Sequence, residues 1–412
     1  MFLNRLRREF PRSIRKYYTV NSNAVNKQQD VIAKDIQMQI KATGPITVAE
    51  YMKKVLIHPM GGYYMHKDVF GAGGDFVTSP ELGQVFGEMV AVWLLNEWSK
   101  VGSPKPFQIV ELGPGRGSLC QDVLRVFDHF GALKSASVSL VEMSPFLSDT
   151  QARRLCLNSN AIHDQQQPFY REGVTLQGAP IKWYRNIQDV PKMFTLLVAH
   201  EFFDALPIHK FQKTDKGFRE ILIDINREKD LEFRYIIARD ETPASKLFAD
   251  ASDTREHIEV SPESLVLVKD LASRFEEDGG MGLIADYGHD GTGTDTFRAF
   301  KKHQLHDPLV DAGNADLTAD VDFSALRKAA TEEGKVLAFG PITQNKFLLN
   351  MGIEHRVKKL EENLDEEQKK ILWSSFHMMT DQDKMGSRFK FLSLLPAVLD
   401  ELLKKAPVAG FN

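Results

Sequence analysis

The sequence of 412 residues contains only two cysteines, Cys120 and Cys156. Two thiols cannot build a disulfide framework or a thiolate metal cage, and a reducing compartment is their natural setting. Long apolar runs are absent as well. The longest, 89–95, has seven residues, which excludes a membrane-spanning helix. Net charge is small: 52 basic and 56 acidic residues leave −4, so no global attraction to nucleic acid or to an anionic membrane is available. The 12 histidines show no His-x3-His or Cys-His spacing, so no metal is expected. There is no Gly-x-Ser-x-Gly elbow and no Gly-Lys-Ser/Thr loop ending, which argues against serine hydrolysis and a P-loop nucleotide site. What is present is 42% hydrophobic and 10% aromatic residues, enough to bury a core. The length suits two or three domains, or one elaborated α/β domain.

The charge is unevenly spread. Residues 1–20 carry Arg5, Arg7, Arg8, Arg12, Arg15 and Lys16 against Glu9, a local +5 that leaves −9 for the rest of the chain. Phe2, Leu3, Leu6, Phe10 and Ile14 recur at helical spacing opposite the arginines. That is the Arg-rich, acid-poor amphipathic pattern of a mitochondrial transit peptide, with a frayed basic tail or a nuclear signal as plainer alternatives. On this reading 1–29 are presequence and tail, and mature structure begins near Asp30.

Apolar positions Val31, Ile32, Ile36, Met38 and Ile40 predict a helix over 30–42, ended by Gly44-Pro45. Thr47, with Glu50 three positions on, is a capping-box pattern ahead of Tyr51, Met52, Val55 and Leu56. Pro80 predicts the start of a long helix through Val85, Phe86, Met89, Val90, Trp93 and Leu94 to about Trp98. From 107 the pattern becomes strand 107–112, glycine loop 113–117, helix 118–130 and strand 137–142. Further strands are expected at 181–184, 194–199 and 281–285, with helices near 153–158 and at 262–275. Strands alternating with helices predict an α/β fold with a parallel sheet covered on both faces. Within it, 208–211, 218–225 and 231–238 read as short antiparallel strands of an insertion. Beyond 340 the expectation is a strand near 346–349, helices over 354–379 and a last strand around 388–394. The charge run 358–370 mixes signs and reads as a solvated helix face.

The segment Glu111-Leu112-Gly113-Pro114-Gly115-Arg116-Gly117 places three glycines between a strand and a helix, where backbone can approach a ligand without obstruction. Glu111, two residues before the first glycine, suits a cationic ligand end better than a pyrophosphate. Glu142, ending the next strand, can accept from both hydroxyls of a ribose. A ribose, an amino-acid tail and a sulfonium together describe S-adenosylmethionine. The competing readings are a nicotinamide cofactor, whose third glycine would stand one residue later, and a structural turn.

A second constellation, Glu201-Phe202-Phe203-Asp204, follows the strand expected across the topological switch point. Two carboxylates three residues apart can clamp a planar guanidinium; a helix N-terminus with core phenylalanines is the plainer account. In the segment 74–81, Thr78 and Ser79 are candidates for a ligand-facing helix start or for a simple N-cap. His289, beyond Asp286, is a lone histidine and weak as a catalyst.

The sequence resembles the MidA-like family of mitochondrial complex I assembly factors that act as protein arginine methyltransferases. The matching blocks are Gly61-Gly62-Tyr63-Tyr64, 74–81, Phe86-Gly87-Glu88, 111–117, 201–207, Ala285-Asp286-Tyr287-Gly288, 315–323 and Met385-Gly386-Ser387-Arg388-Phe389-Lys390. They run from about Gly44 to Leu395. The resemblance implies an α/β class I methyltransferase with a Rossmann-like seven-stranded sheet, a helical extension over 30–100 and a methyltransferase domain over 101–395. The β insertion then spans about 208–240, and 396–412 form a C-terminal tail. Also implied are S-adenosylmethionine held by Glu111, Gly113, Gly115, Gly117, Glu142, Thr78 and Ser79, and acceptor contacts from Glu201 and Asp204. A protein substrate, a core subunit of complex I dimethylated symmetrically on arginine in the matrix, follows from the resemblance alone. The chain departs from the family pattern at His200, usually asparagine, at Asp320, usually histidine, and at Gly83, where serine is common. A small-molecule methyltransferase and a cofactor-binding assembly chaperone are the other functional classes.

Overall fold

The computed structural model describes residues 22–66, 78–229 and 231–411. The expected transit helix and residues 74–77 of the Gly-Asp-Phe-Val segment therefore lie outside the described residues. In chain order the main elements are α1 (Ser22–Thr43), α2 (Val48–Ile57), α3 (Gln84–Lys100), β1 (Phe107–Leu112), α4 (Ser118–His129), β2 (Ala136–Val141) and α5 (Pro145–Leu155). They continue with β3 (Pro180–Tyr184), β4 (Thr195–His200), α6 (Pro262–Asp278), β5 (Gly280–His289), α7 (Phe323–Thr331), β6 (Val336–Thr343) and β7 (Phe389–Pro396).

The seven strands hydrogen-bond in the order β3-β2-β1-β4-β5-β7-β6. β1 to β5 run parallel, and β7 is antiparallel to both β5 and β6. Every residue of β1 and β4 is buried, the pattern of strands with helices on both faces. The chain reverses its winding between β1 and β4, the crevice where such sheets bind ligands. Two strands, Cys156–Ala161 and Phe169–Thr175, extend the sheet antiparallel beyond β3.

Three expectations are corrected. The helix near 153–158 is α5, which begins earlier because the Ser144 hydroxyl accepts from the Leu147 amide at 3.1 Å, and it gives way to a strand at Cys156. Residues 346–349 are helical, within Gln344–Asn350, because Thr343 caps that helix and Phe347 and Leu348 are both buried; the strand, β6, precedes it. The long helix starts at Gln84 rather than Pro80. Gly83 at φ +150° lies outside helical space and separates it from a short 3-10 turn, Ser79–Glu81.

The expected capping box of α2 is present, with Thr47 Oγ1 accepting from the Glu50 amide and Glu50 from the Thr47 amide, each at 3.0 Å. Just before it, Ile46–Thr47 adds an edge strand to the insertion sheet by pairing with Ile223 and Leu222. That sheet also holds His209–Thr214, Gly217–Ile225, Phe233–Ile237 and His257–Val260. A further antiparallel sheet, Arg298–Lys301, Gln304–His306 and Asp316–Thr318, carries no pattern noted above. Ile36, Tyr51, Met52, Ile223, Phe233 and Leu317 pack into one apolar cluster, so the N-terminal helices and both small sheets form one cap. The last residues pack against α3: Trp93 Nε1 donates to the Ala409 carbonyl at 3.0 Å, and Phe411 meets Phe347 edge-on. Among the described residues no helix is long and apolar enough to cross a membrane.

α3 and α4 meet most closely at Gly87, where an added Cβ would lie 2.5 Å from Asp122 Cβ. Asp122 cannot swing aside cheaply, being paired with Arg125 at 2.8 Å. Gly87→Ala is therefore expected to lower stability by about 1–3 kcal/mol, the usual scale of overpacking, in urea unfolding with an unchanged native circular dichroism spectrum.

Candidate active site

β1 ends at Leu112, and the chain turns through Gly113, Gly115 and Gly117 at φ +60°, +53° and +80°. Such values favour glycine, and a Cβ on Gly113 would in addition fall 2.8 Å from the Phe202 ring. Gly113 and Gly115 line a cavity of about 440 Å³ together with Leu112, Val141, Glu142 and Met143 on one side and Glu201, Asp204 and Tyr287 on the other. Gly117 opens α4 and packs toward Leu155, off the cavity wall. Glu111 lines a smaller hollow of about 40 Å³ that shares Gly113, Gly115 and Glu201 with the large one. The N-terminal region closes over this loop: Glu81 bonds Arg116 at 3.2 Å and also accepts from the Ser118 hydroxyl.

Glu142, just after β2, is buried and tightly oriented. Its Oε1 accepts from the Ser144 amide at 2.7 Å and its Oε2 from Gln151 Nε2 at 3.0 Å. Gln151 was not anticipated. Its Nε2 also donates to the Gly115 carbonyl at 2.7 Å, and its Oε1 accepts from Trp183 Nε1 at 2.8 Å, so one fully buried amide ties the glycine loop, the strand-end acid and β3 together. The signal available for it was a polar residue on the apolar Leu147, Gln151, Leu155 stripe of α5. Burial raises the Glu142 carboxyl to about 7 and that of Glu111 to about 8.

The other end of the cavity is a neighbourhood of acids. Glu201 follows β4 at φ +49°, a conformation a non-glycine residue rarely adopts, with its amide donating to the Ala285 carbonyl at 3.0 Å. The turn is held by Asp286, fully buried at the C-terminal part of β5, whose Oδ2 accepts from the amides of Phe202 at 3.0 Å and Phe203 at 2.9 Å. Asp204 Oδ2 accepts from Thr318 Oγ1 at 2.8 Å. Burial first, then Asp204, Asp286 and Asp316, push the Glu201 carboxyl well above its ordinary range; burial raises Asp204 to about 6. Glu201 Oε1 is buried without a hydrogen-bond partner.

His200 lies 3.6 Å by Nε2 from Glu201 Oε1, sandwiched between the rings of Phe86 and Phe389, and burial lowers it to about 3. It is a neutral wall of the small hollow. Asp320 pairs with Arg298 at 2.6 Å, which accounts for an acid there. Thr78 lines the small hollow but caps nothing with its side chain, and Ser79 is buried with its Oγ 3.8 Å from Met385 Sδ. The Ser79 amide hydrogen-bonds the Glu201 carboxyl. His289 lines neither hollow.

The residues suit an adenosyl group with a charged tail: a buried acid for paired hydroxyls, apolar Leu112, Val141, Leu147 and Ile187 around it, and a glycine loop beside a second acid. The profile of the family described as "Putative S-adenosyl-L-methionine-dependent methyltransferase" matches residues 89–342. A Danio rerio protein named "Protein arginine methyltransferase NDUFAF7, mitochondrial" is 48% identical over 419 residues, covering 100% of this chain and 98% of its own. The Drosophila melanogaster "Protein arginine methyltransferase NDUFAF7 homolog, mitochondrial" is 50% identical over 386 residues, 92% of this chain and 88% of its own. The crystal structure of a Burkholderia thailandensis protein bound to S-adenosyl-homocysteine superposes with a TM-score of 0.72 at 22% identity, covering 91% of this chain and 94% of that one.

Two outcomes follow from the buried acids. Glu142→Ala should weaken S-adenosylhomocysteine binding by about 1.5–3 kcal/mol, the scale of hydrogen bonds to a charged group, as read by calorimetry. Because Glu111 and Glu142 sit near 8 and 7 against an ordinary 4.5, the native state keeps protons that the unfolded chain releases. Stability is then greatest at or below about pH 4.5, as far as these two groups are concerned, and falls as pH rises toward 8. Unfolding midpoints of the ligand-free protein should drop between pH 5.5 and 8.5, and Glu142→Gln should flatten part of that slope.

Proposed function

Because the chain belongs to the S-adenosyl-L-methionine-dependent methyltransferase family, we propose that it methylates an arginine side chain of a protein substrate. The observation that carries the acceptor is the group of carboxyls Glu201, Asp204 and Asp316 on the cavity wall, facing the region lined by Glu142 and the glycine loop. The names of the relatives at about half identity agree with it, and they mark those proteins as mitochondrial. The matrix is our inferred location, and the finer reading is symmetric dimethylation of a core subunit of complex I during its assembly.

When bound, S-adenosylmethionine supplies an electrophilic methyl on a positively charged sulfur. Glu142 would accept the ribose hydroxyls, the glycine loop would let backbone approach the ligand, and Glu111 would hold its cationic tail. Guanidinium is a poor nucleophile because its charge is spread over three nitrogens. Glu201, assisted by Asp204, holds that charge on two of them and leaves the third richer in electrons. Phe202, Tyr287 and Phe300 line the cavity and give it aromatic walls. Methyl transfer leaves one proton in excess, and a nitrogen held by Glu201 gives it up to that carboxyl, so the product leaves as a singly charged methylguanidinium. An assembly chaperone that binds the cofactor without chemistry is the second reading.

Glu201→Gln keeps size and one acceptor oxygen but removes the charge. Single-turnover labelling of matrix proteins should fall by about 10² or more, with S-adenosylhomocysteine affinity nearly unchanged. Wild-type rates in the folded variant would remove Glu201 from the clamp. A wild type that labels no arginine in any matrix protein would leave the chaperone reading.

A further inference from the structure

Asp316 belongs to the antiparallel sheet of the cap and has no part in the Glu201/Asp204 motif. It is 6% exposed and lines the same cavity as Glu201, Asp204 and Tyr287. Its strand partner two residues on, Thr318, also lines the cavity and fixes Asp204, so both side chains point from one strand face into the site. Tyr64, from the segment after α2, donates its hydroxyl to Asp316 Oδ1 at 2.6 Å. The main chain of Tyr64 is itself held by the cofactor end, its carbonyl accepting from the Ser144 hydroxyl at 2.6 Å.

Carboxylates gathered in one cavity repel one another unless protons or a cation relieve the charge. A second, independent observation is Glu201, which lines the cavity with its side chain 10% exposed while its Oε1, 3.6 Å from His200 Nε2, has no hydrogen-bond partner. Arg298, a cation that acts on Asp204, is committed to Asp320 and to the Thr296 carbonyl. A guanidinium offers five donors in a planar fork and can bridge acids on two walls; an ammonium is a point charge that meets its acceptors in a tetrahedron.

We propose that Asp316, oriented by the Tyr64 hydroxyl, contacts the acceptor guanidinium from the cap wall while Glu201 contacts it from the sheet wall. Asp316 is then a substrate-contacting residue and Tyr64 a positioning residue. The inference rests on the arginine reading above and adds the residue that selects arginine over lysine. It also joins the two ends of the site, since Tyr64 touches Asp316 by its side chain and Ser144, beside Glu142, by its backbone.

The test uses the full chain saturated with S-adenosylhomocysteine and two pools of nine-residue peptides, one with a fixed central arginine and one with a fixed central lysine. Fluorescence anisotropy reads peptide capture, and calorimetry reads S-adenosylhomocysteine affinity in the same variants. Asp316→Asn should weaken capture of the arginine pool at least about tenfold and leave S-adenosylhomocysteine affinity within about twofold. Tyr64→Phe, which keeps the ring, should weaken capture about threefold and raise the KM for arginine peptides with kcat held. It also keeps the idea testable should Asp316→Asn fail to fold. Equal capture of the arginine pool by wild type and both variants overturns the inference and leaves the arginine reading standing. Loss of S-adenosylhomocysteine affinity in step with peptide affinity also overturns it, because Asp316 would then serve the fold or the cofactor. Preferential capture of the lysine pool by the wild type, or its preferential methylation when S-adenosylmethionine replaces S-adenosylhomocysteine, removes the arginine reading and this inference together.

Discussion

The reaction end of the molecule depends on one buried carboxylate. Asp286 has no exposure at all, yet it carries an ionisable group that would be costly to bury alone. Its cost is offset by backbone donors: Phe202 and Phe203 meet Oδ2 within 3.0 Å, and Tyr287 meets Oδ1 at 2.9 Å. Those bonds force the chain leaving β4 into a tight turn and keep Glu201 in its left-handed conformation. The Glu201 amide is held in addition by the Ala285 carbonyl. The strain at Glu201 is thus supported from the neighbouring strand β5, which is why two adjacent parallel strands must be in register for the site to exist.

The cofactor end repeats this logic with a neutral group. Gln151 has no charge to desolvate, and its amide spends two donor contacts and one acceptor contact on Gly115, Glu142 and Trp183. A leucine there would fit the apolar stripe of α5 but would leave the Gly115 carbonyl, a Glu142 oxygen and the Trp183 indole unpaired in a dry interior. Orientation of Glu142 is therefore shared between its own loop, through the Ser144 amide, and α5, whose Gln151 is tied to β3 by Trp183.

How far the sequence could be read follows from the range of the interactions. Six of the seven core strands, the glycine loop, Glu142, Glu201 and Asp204 belong to local patterns, an apolar run ending in glycines or acids, while β6 carries no pattern noted above; the structure brings Gly113, Gly115, Glu142, Glu201 and Asp204 to one cavity. Tyr64 and Asp316 are separated by 252 residues, and no period or spacing links them. The small sheet that carries Asp316 was invisible because its strands are three or four residues long, below the length at which alternation shows. The helix at Gln344–Asn350 is not legible in the sequence because a lysine followed by three apolar residues fits a strand as well as a helix, and the Thr343 cap decides between them.

The cap is what separates this chain from a bare methyl-transferring sheet, and its construction constrains how the site forms. Ile46–Thr47 pairs with Gly217–Ile225, so residues far apart in the chain must meet before the cap has a complete sheet. The same segment then places Tyr64 against Asp316 and Ser144. Loop closure over such distances is costly in entropy and is repaid only when the apolar cluster around Tyr51, Met52 and Phe233 is assembled. The acid-lined cavity therefore joins two parts of the fold: the parallel core positions the glycine loop, Glu142 and Glu201, whereas Asp316 and Tyr64 reach it from the cap.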